Sequence, residues 1–383
     1  MPIAHIMAGI PASNRSLYRQ IRFLVGDPVA LAEVDSGPAK GRTLILRDIE
    51  MERAKRDARA DRVACPRDFE PAGGLSGDRE TATAQALAEY LRRADVREAV
   101  ADRTLPLIYA DQLREAGIAL RLDLDFGVSD RRKKDASEIA ALRAAQAATE
   151  SAMRYACELI GKATALADGT LTYNGAPLTS ELVRATIDLR LLGLGYENPP
   201  SIVAGGPSGA DCHEQGRGAL RTGEPVVIDI FPQHRTNLYH GDCTRTVVNG
   251  AIRPEISLMH TAVVAAKKAA QDATRAGVTG ESVHRAALAV LTARGYAYGQ
   301  PPNGAPATWC GMTHGTGHGI GLDVHEAPLL DFKGPVLVEG DAITIEPGLY
   351  CRAIGGVRVE DMVIVTLGGC ENLNTLPEGL SWR

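Results

Sequence analysis

The sequence is poor in the features that mark a secreted, membrane-bound or nucleic-acid-binding protein. Its seven cysteines (Cys65, Cys157, Cys212, Cys243, Cys310, Cys351 and Cys370) form no C-x-x-C pair and show no disulfide spacing. They read as reduced thiols. No apolar run is long enough to cross a bilayer, so no membrane partner is expected. The opening MPIAHIMAGIPASNRSLYRQ lacks a basic segment followed by a continuous apolar core. That argues against a secretory signal and makes the cytoplasm the expected location. A formal net charge of -5 leaves no positive surplus for nucleic acid or an anionic membrane surface. What remains is a chain of 383 residues, 45% hydrophobic and 23% charged, long enough for two domains.

The stretch 314-HGTGHGIGLDVHEAP-328 carries glycine at 315, 317, 319 and 321 and histidine at 314, 318 and 325. A nucleotide phosphate loop opens a helix directly after its glycines. Here the chain runs on through Leu322, Asp323, Val324 and His325 to Pro328, which argues against that reading. Glycine at every second position matches the period of a strand, with one face bare and His314, Thr316 and His318 on the other. Another part of the chain is expected to approach the bare backbone closely.

Residues 1–133 alternate short apolar runs, such as 43-TLILR-47 and 105-LPLIYA-110, with charged helical stretches such as 81-TATAQALAEYLRRA-94. This is the pattern of a small α/β domain, and it holds no dense cluster of catalytic residue types. The break falls in 128-VSDRRKKDASEIA-140, where Asp135 followed three residues later by Glu138 marks a helix start. Residues 134–383 then read as that long helix, a helix near 179–193, and strands near 201–205, 225–231 and 239–248. Helices near 254–276 and 281–294 follow, with Gly277 and Gly295 just past their ends, and the remainder is strand-rich. A helix-helix-hairpin order thus occurs twice, which would set two halves around a shared site.

Strand 225-PVVIDIF-231 is apolar except for Asp229. A lone carboxylate in a buried strand is costly unless a cation or hydrogen bonds neutralise it. The pattern recurs at Asp242 in 242-DCTRT-246, at Glu346 ending 342-AITIE-346, and at Glu360 in 356-GGVRVEDMVIV-366. Each acid alone reads as a satisfied core carboxylate or an exposed strand end. Four together, with an imidazole-rich strand between them, repel one another unless counter-charge is present. Two divalent cations supply it, and an oxygen-rich set with one imidazole suits manganese, cobalt, iron or zinc.

Asp229, Asp242, His318, Glu346 and Glu360 stand in the order and context of the five metal ligands of the pita-bread metallopeptidases. Residues 136–383 resemble that family, which includes methionine aminopeptidase, aminopeptidase P and prolidase, through DCTRT, GHGIGLDVHEAP, ITIEPGLY and VRVED. The segment 43-TLILRDIEMERAKRD-57 is more distantly similar to the N-terminal domain of the prolidase and creatinase branch. The resemblance implies an α/β (α+β) chain: a small creatinase-type domain over 1–133, then a pita-bread catalytic domain over 134–383 with pseudo-twofold halves. It implies two divalent metal ions, manganese first, with cobalt, zinc and iron as alternatives. Asp242 and Glu360 would bridge them, Asp229 would complete one shell, and His318 with Glu346 the other. Glu346 would also shuttle a proton, His325 and His213 would lie near the scissile group, and His314 and Arg358 would be further pocket residues.

Two departures stand out. The family's Asp-x-Gly is here Asp229-Ile230-Phe231, and the hairpin 232-PQHRTNLYHG-241 is longer than the common form. His240 falls where a shorter hairpin would put its aspartate, while the register of DCTRT favours Asp242. The implied activity is hydrolysis of short peptides, foremost as an Xaa-Pro dipeptidase, in a homodimer. Arg235, on the long hairpin, is a candidate to meet a substrate carboxylate, against the plain reading of a solvated charge. The alternatives are an aminopeptidase P activity on longer peptides, a creatinase-like cleavage of a small non-peptide C–N bond, and a binding protein without catalysis. The last two classes lack the ligand set that this sequence carries.

Overall fold

The computed structural model describes residues 2–382, which fall into two compact units, Met1–Arg131 and Arg132–Arg383. In the first unit a six-stranded sheet has the spatial order Arg62–Ala64, Gly41–Ile45, Val29–Val34, Ile3–Gly9, Glu98–Ala101, Ala119–Leu122. Its central strand Ile3–Gly9 pairs antiparallel with Val29–Val34 and parallel with Glu98–Ala101. The helix Arg79–Arg93 starts where the Asp78 side chain accepts from Thr81 N, and it lays Leu87 and Leu91 into a core shared with Ile6, Ile45 and Tyr109. The apolar run 105–110 opens a helix, Leu107–Glu115, after Pro106. Proline's fixed φ suits a helix start, and Tyr109 and Leu113, four residues apart, bury one face.

The second unit begins at a capping box. The Asp135 side chain accepts from Glu138 N while Glu138 reaches back to Asp135 N, starting the helix Ala136–Gly161. This helix and Ser180–Gly193 cover a three-stranded sheet of Ile202–Gly205, Pro225–Ile230 and Cys243–Val248. Met153, Ile160, Ile187, Ile228 and Val247 fill the core between them. The pattern repeats with the helices Pro254–Ala273 and Gly280–Ala293. Their Val263 and Leu291 share a core with Ile343, Val357 and Val363 from the later strands. Those strands form a four-stranded sheet (Ala297–Tyr298, Cys310–Met312, Gly348–Cys351, Gly355–Arg358) and a five-stranded one (Glu326–Leu330, Gly317–Gly319, Ala342–Ile345, Asp361–Val365, Cys370–Asn372). Two halves, each a helix pair on strands with its own core, make a pita-bread architecture.

Some boundaries differ from the sequence reading. The helix near 254–276 stops at Ala273 because Thr274 turns extended, so Gly277 belongs to the loop beyond. Gly295 does follow its helix, directly after the C-cap Arg294, with φ 84°. The strand near 239–248 is regular only over Cys243–Val248. Before it, backbone bonds from His234 N to Tyr239 O and from Gly241 N to Pro232 O close the long hairpin on itself.

Candidate metal centre

The glycine-rich strand is short. Gly317–Gly319 lies between Glu326–Leu330 and Ala342–Ile345. A Cβ at 317 would stand 2.0 Å from Thr344 O, and one at 319 would stand 2.3 Å from Ala327 O. The bare backbone is therefore bare because a strand presses on it from each side. The strict alternation does not reach Thr316, whose Oγ1 instead bonds His284 Nδ1 at 2.8 Å, buried against the helix Gly280–Ala293. Of the three residues assigned to one face, only His314 and His318 line the cavity beside this strand.

That cavity, ≈ 340 Å³, gathers the five expected ligands and also His213, His314, His325 and Arg358. Asp229 and Asp242 enter from the hairpin, with Asp229 opposite Thr244 in the ladder. Glu346 follows the strand Ala342–Ile345, and its N–H bonds Thr316 O at 2.8 Å. Arg358 ends the strand Gly355–Arg358, and Glu360, two residues on, bonds Thr244 O through its N–H at 3.1 Å. His213 comes from the loop after Gly206–Ala210, where Asp211 Oδ1 accepts from its N–H. Donor atoms of Asp242, His318 and Glu360 all lie within 4.8 Å of one another. His318 Nε2 is 3.9 Å from Asp242 Oδ2 and 3.3 Å from Glu346 Oε1. His318 Nδ1 is 3.1 Å from Gly319 O, a bond that puts the ring proton on Nδ1 and turns the Nε2 lone pair toward the carboxylates.

Other contacts aim these side chains. Gln146, in the middle of the long helix, brackets the Asp242 backbone, accepting from its N–H at 2.9 Å and donating to its carbonyl at 2.6 Å. Thr244 Oγ1 donates to Glu360 Oε2 at 2.7 Å and accepts from Arg358 Nε at 3.2 Å. Arg358 also holds Asp229 Oδ2 at 2.7 Å, Tyr350 Oη at 2.9 Å and Cys212 O at 3.1 Å. His314 has both ring nitrogens engaged, one with Gly315 O and one with Tyr350 Oη, each at 2.7 Å. Arg358 and His314 are thus fully committed to protein partners. His325 stacks edge-on with His318, ring centroids 4.3 Å apart.

The electrostatics ask for cations. Burial, reinforced by the charges of Glu360, Asp229 and Glu346, pushes Asp242 well above the usual carboxylate range. Burial and the charges of Glu346 and Asp229 do the same to Glu360. Burial pushes His318 and His325 down, so both imidazoles are neutral and able to ligate or to donate a hydrogen bond. With Oδ2 taken by Arg358, Asp229 Oδ1 is buried and has no hydrogen-bond partner. An orphaned carboxylate oxygen facing other carboxylates and an imidazole lone pair fits a divalent cation.

His240 is not part of this wall. Its Nε2 lies 2.8 Å from Gln233 Nε2 within the hairpin, and its N–H bonds Gly321 O of the glycine-rich segment. Arg235 sits half-exposed at the hairpin tip, 3.9 Å from Glu197, and does not line the cavity, so the hairpin offers no cation to a substrate carboxylate there. Sequence reasoning missed Gln146, Thr244 and Tyr350. Gln146 sits on the buried face of the long helix among other buried polar residues, Glu138, Thr149 and Glu150, so nothing in the sequence set it apart.

Buried carboxylates converging on an imidazole at the seam of two pseudo-symmetric halves define a metallohydrolase. A profile of metallopeptidase family M24 matches residues 140–367, and the chain belongs to that family. The probable dipeptidase PepE of Mycobacterium tuberculosis is 34% identical over 298 residues, 77% of this chain and 72% of its own length. The Xaa-Pro dipeptidase of Pyrococcus furiosus is 32% identical over 222 residues, 57% of this chain and 59% of its own. The solved structure of the Xaa-Pro dipeptidase from Bacillus anthracis superposes with a TM-score of 0.79 at 23% identity, covering 99% of this chain and 94% of that one. No helix among the described residues is long and apolar enough to cross a membrane.

Proposed function

We propose that this chain hydrolyses Xaa-Pro dipeptides, with Asp229, Asp242, His318, Glu346 and Glu360 holding two divalent ions, manganese first. The observation that carries the reading is the buried Asp229 Oδ1, left without a protein partner in a wall of carboxylates. Membership of family M24 and the dipeptidase names of the relatives support the reaction and the substrate class. When bound, the ions offset the carboxylate repulsion, polarise the scissile carbonyl and make water a nucleophile near neutral pH. Asp242 and Glu360 would be shared by both ions, Asp229 would serve one of them, and His318 with Glu346 would serve the other. Glu346 carries the proton from the nucleophile toward the leaving nitrogen. His325, neutral and beside His318, donates to the developing oxyanion, and His213 faces it from the opposite loop. Arg358 and His314 act as positioning residues, tied together through the Tyr350 hydroxyl.

The same reading takes residues 1–133 as the creatinase-type domain and 134–383 as the catalytic one, in a cytoplasmic homodimer. Light scattering at working concentration tests the dimer. For the reaction, the protein is stripped of metal, reloaded with manganese, cobalt, zinc or iron, and assayed on Xaa-Pro dipeptides. Hydrolysis only after reloading is expected, and hydrolysis by protein shown to be metal-free overturns the reading. One feature favours aminopeptidase P as the second reading. A side cavity lined by Trp309, Arg352 and Tyr350 shares Cys212 and His213 with the main one, which gives room for a longer peptide. A higher kcat/KM on the same dipeptide extended by two residues at its C-terminus would select it.

A further inference from the structure

One carboxylate of the cavity wall stands apart from the four at the centre. Asp331 follows the strand Glu326–Leu330 and lines the cavity together with Leu329, two residues before it on the same face. Its Oδ1 is fixed from behind. Phe332 N donates to it at 2.7 Å, and His284 Nε2 stands 3.4 Å away without forming a hydrogen bond. His284 is itself immobilised, by Thr316 Oγ1 on Nδ1 and by the edges of the Tyr298 and Phe332 rings. Burial keeps that imidazole neutral, so it does not cancel the charge in front of it. Oδ2 lies beside Gly315, close enough that a Cβ there would come within 3.2 Å of it. The Tyr298 hydroxyl also donates to this carboxylate, which with glycine at 315 stays part of the cavity lining. The rest of the lining is mixed: Ile202, Phe231, Val324 and Leu329 are apolar, while His213, Gln215, His325 and Arg358 are polar, Arg358 being spent on Asp229, Tyr350 and Cys212.

We propose that Asp331 selects substrates whose first residue carries a cationic side chain, lysine or arginine. The inference rests on the Xaa-Pro reading, in which the second residue is proline and only the first can bring a cation. Distance favours it. His318 faces Leu329 in the strand register, and Asp331 lies two residues further on, about 7 Å along the strand. An extended lysine or arginine side chain reaches about 6–7 Å from its own carbonyl carbon, whereas the α-ammonium stays beside the scissile bond, among the central carboxylates. The apolar wall would pack the methylene stem while the charged head meets Oδ2.

The test compares Lys-Pro and Arg-Pro with norleucine-Pro, which has a similar stem and no charge, on the manganese-loaded protein and on Asp331→Asn and Asp331→Ala. A charge-assisted bond in a partly buried site predicts a kcat/KM ratio of cationic to neutral substrate of about 10. That ratio should collapse toward 1 in both variants and shrink with added salt in the unmodified protein. A ratio near 1 in the unmodified protein, or parallel loss on both substrates with the ratio kept, overturns the assignment. If no Xaa-Pro dipeptide is cleaved, the reading of the reaction falls. Calorimetric titration with lysine- and norleucine-containing dipeptides then decides the pocket by itself, and equal affinities overturn it.

Discussion

Glu360 and Asp361 are consecutive and each is 2% exposed, but their side chains enter two different charge clusters. Asp361 meets cations: Arg245 Nη2 at 2.9 Å and Lys267 Nζ, with Asn372 Nδ2 at 2.8 Å. Lys267 in turn pairs with Glu378, and Arg245 donates to the carbonyls of Glu360, Leu376 and Pro377. Burial works against the Asp361 charge, but Lys267 and Arg245 outweigh it and hold the carboxyl below its usual range. Glu360 faces the opposite way, among carboxylates, and is pushed up. One strand step thus separates a closed cluster, whose charges are answered within the chain, from an open one that needs ions from outside. Depth of burial alone does not identify a functional acid. The informative quantity is the sign of the balance around it.

The largest effect that would break this comparison is expected on the closed side. Asp361→Ala leaves Lys267 and Arg245 buried without their shared anion and should cost about 3–5 kcal/mol in urea unfolding. A cost below 1 kcal/mol would mean that the cluster is not closed as described. On the open side, Glu360→Gln removes repulsion, so the metal-free protein should be as stable as the parent or more so, while bound metal and turnover fall by more than about 100-fold. Metal content measured by mass spectrometry after gel filtration separates the two effects.

Next in size is Gly317→Ala, which forces a methyl into Thr344 O and should lower stability by about 1–3 kcal/mol and turnover with it. The pH dependence of the metal-free protein sharpens the contrast further. Asp242 and Glu360 have folded pKa values raised above their unfolded ones. The folded state therefore binds more protons, and its stability should fall as pH rises from about 4, the unfolded carboxylate pKa, toward the raised folded values. Thermal melts with and without added metal should differ most at the upper end of that range, and Glu360→Gln should flatten the slope. Arg235→Ala, which touches neither cluster, should change stability by less than about 0.5 kcal/mol and dipeptide kcat/KM by less than twofold.

Local signals carried much of this into the sequence. The Asp135 and Glu138 pair marks a helix start because both hydrogen bonds of a capping box are made within four residues. The apolar strand around Asp229 is conspicuous for the same reason, since the anomaly is visible in seven consecutive letters. The partners that decide what each acid does are remote in sequence. Gln146 reaches Asp242 across 96 positions, and Lys267 reaches Asp361 across 94. Glu360 and Asp361 look alike in 356-GGVRVEDMVIV-366 because nothing local distinguishes which side of the strand holds the cations. Thr316 misled for a related reason. Period-two glycines suggest an unbroken strand, but a buried hydroxyl needs a partner, and His284 supplies one from a helix thirty-two residues upstream.

The second unit has one large hydrophobic core under each helix pair, and the proposed donors divide between the two halves, Asp229 and Asp242 with the first, His318, Glu346 and Glu360 with the second. Neither half alone could assemble the set. An ion bound there would fasten one half to the other, so the time it stays bound becomes a measure of how long the seam remains shut. Amide hydrogens along that seam, such as Glu360 N on Thr244 O and Arg358 N on Thr246 Oγ1, would exchange with solvent at the rate at which the halves part.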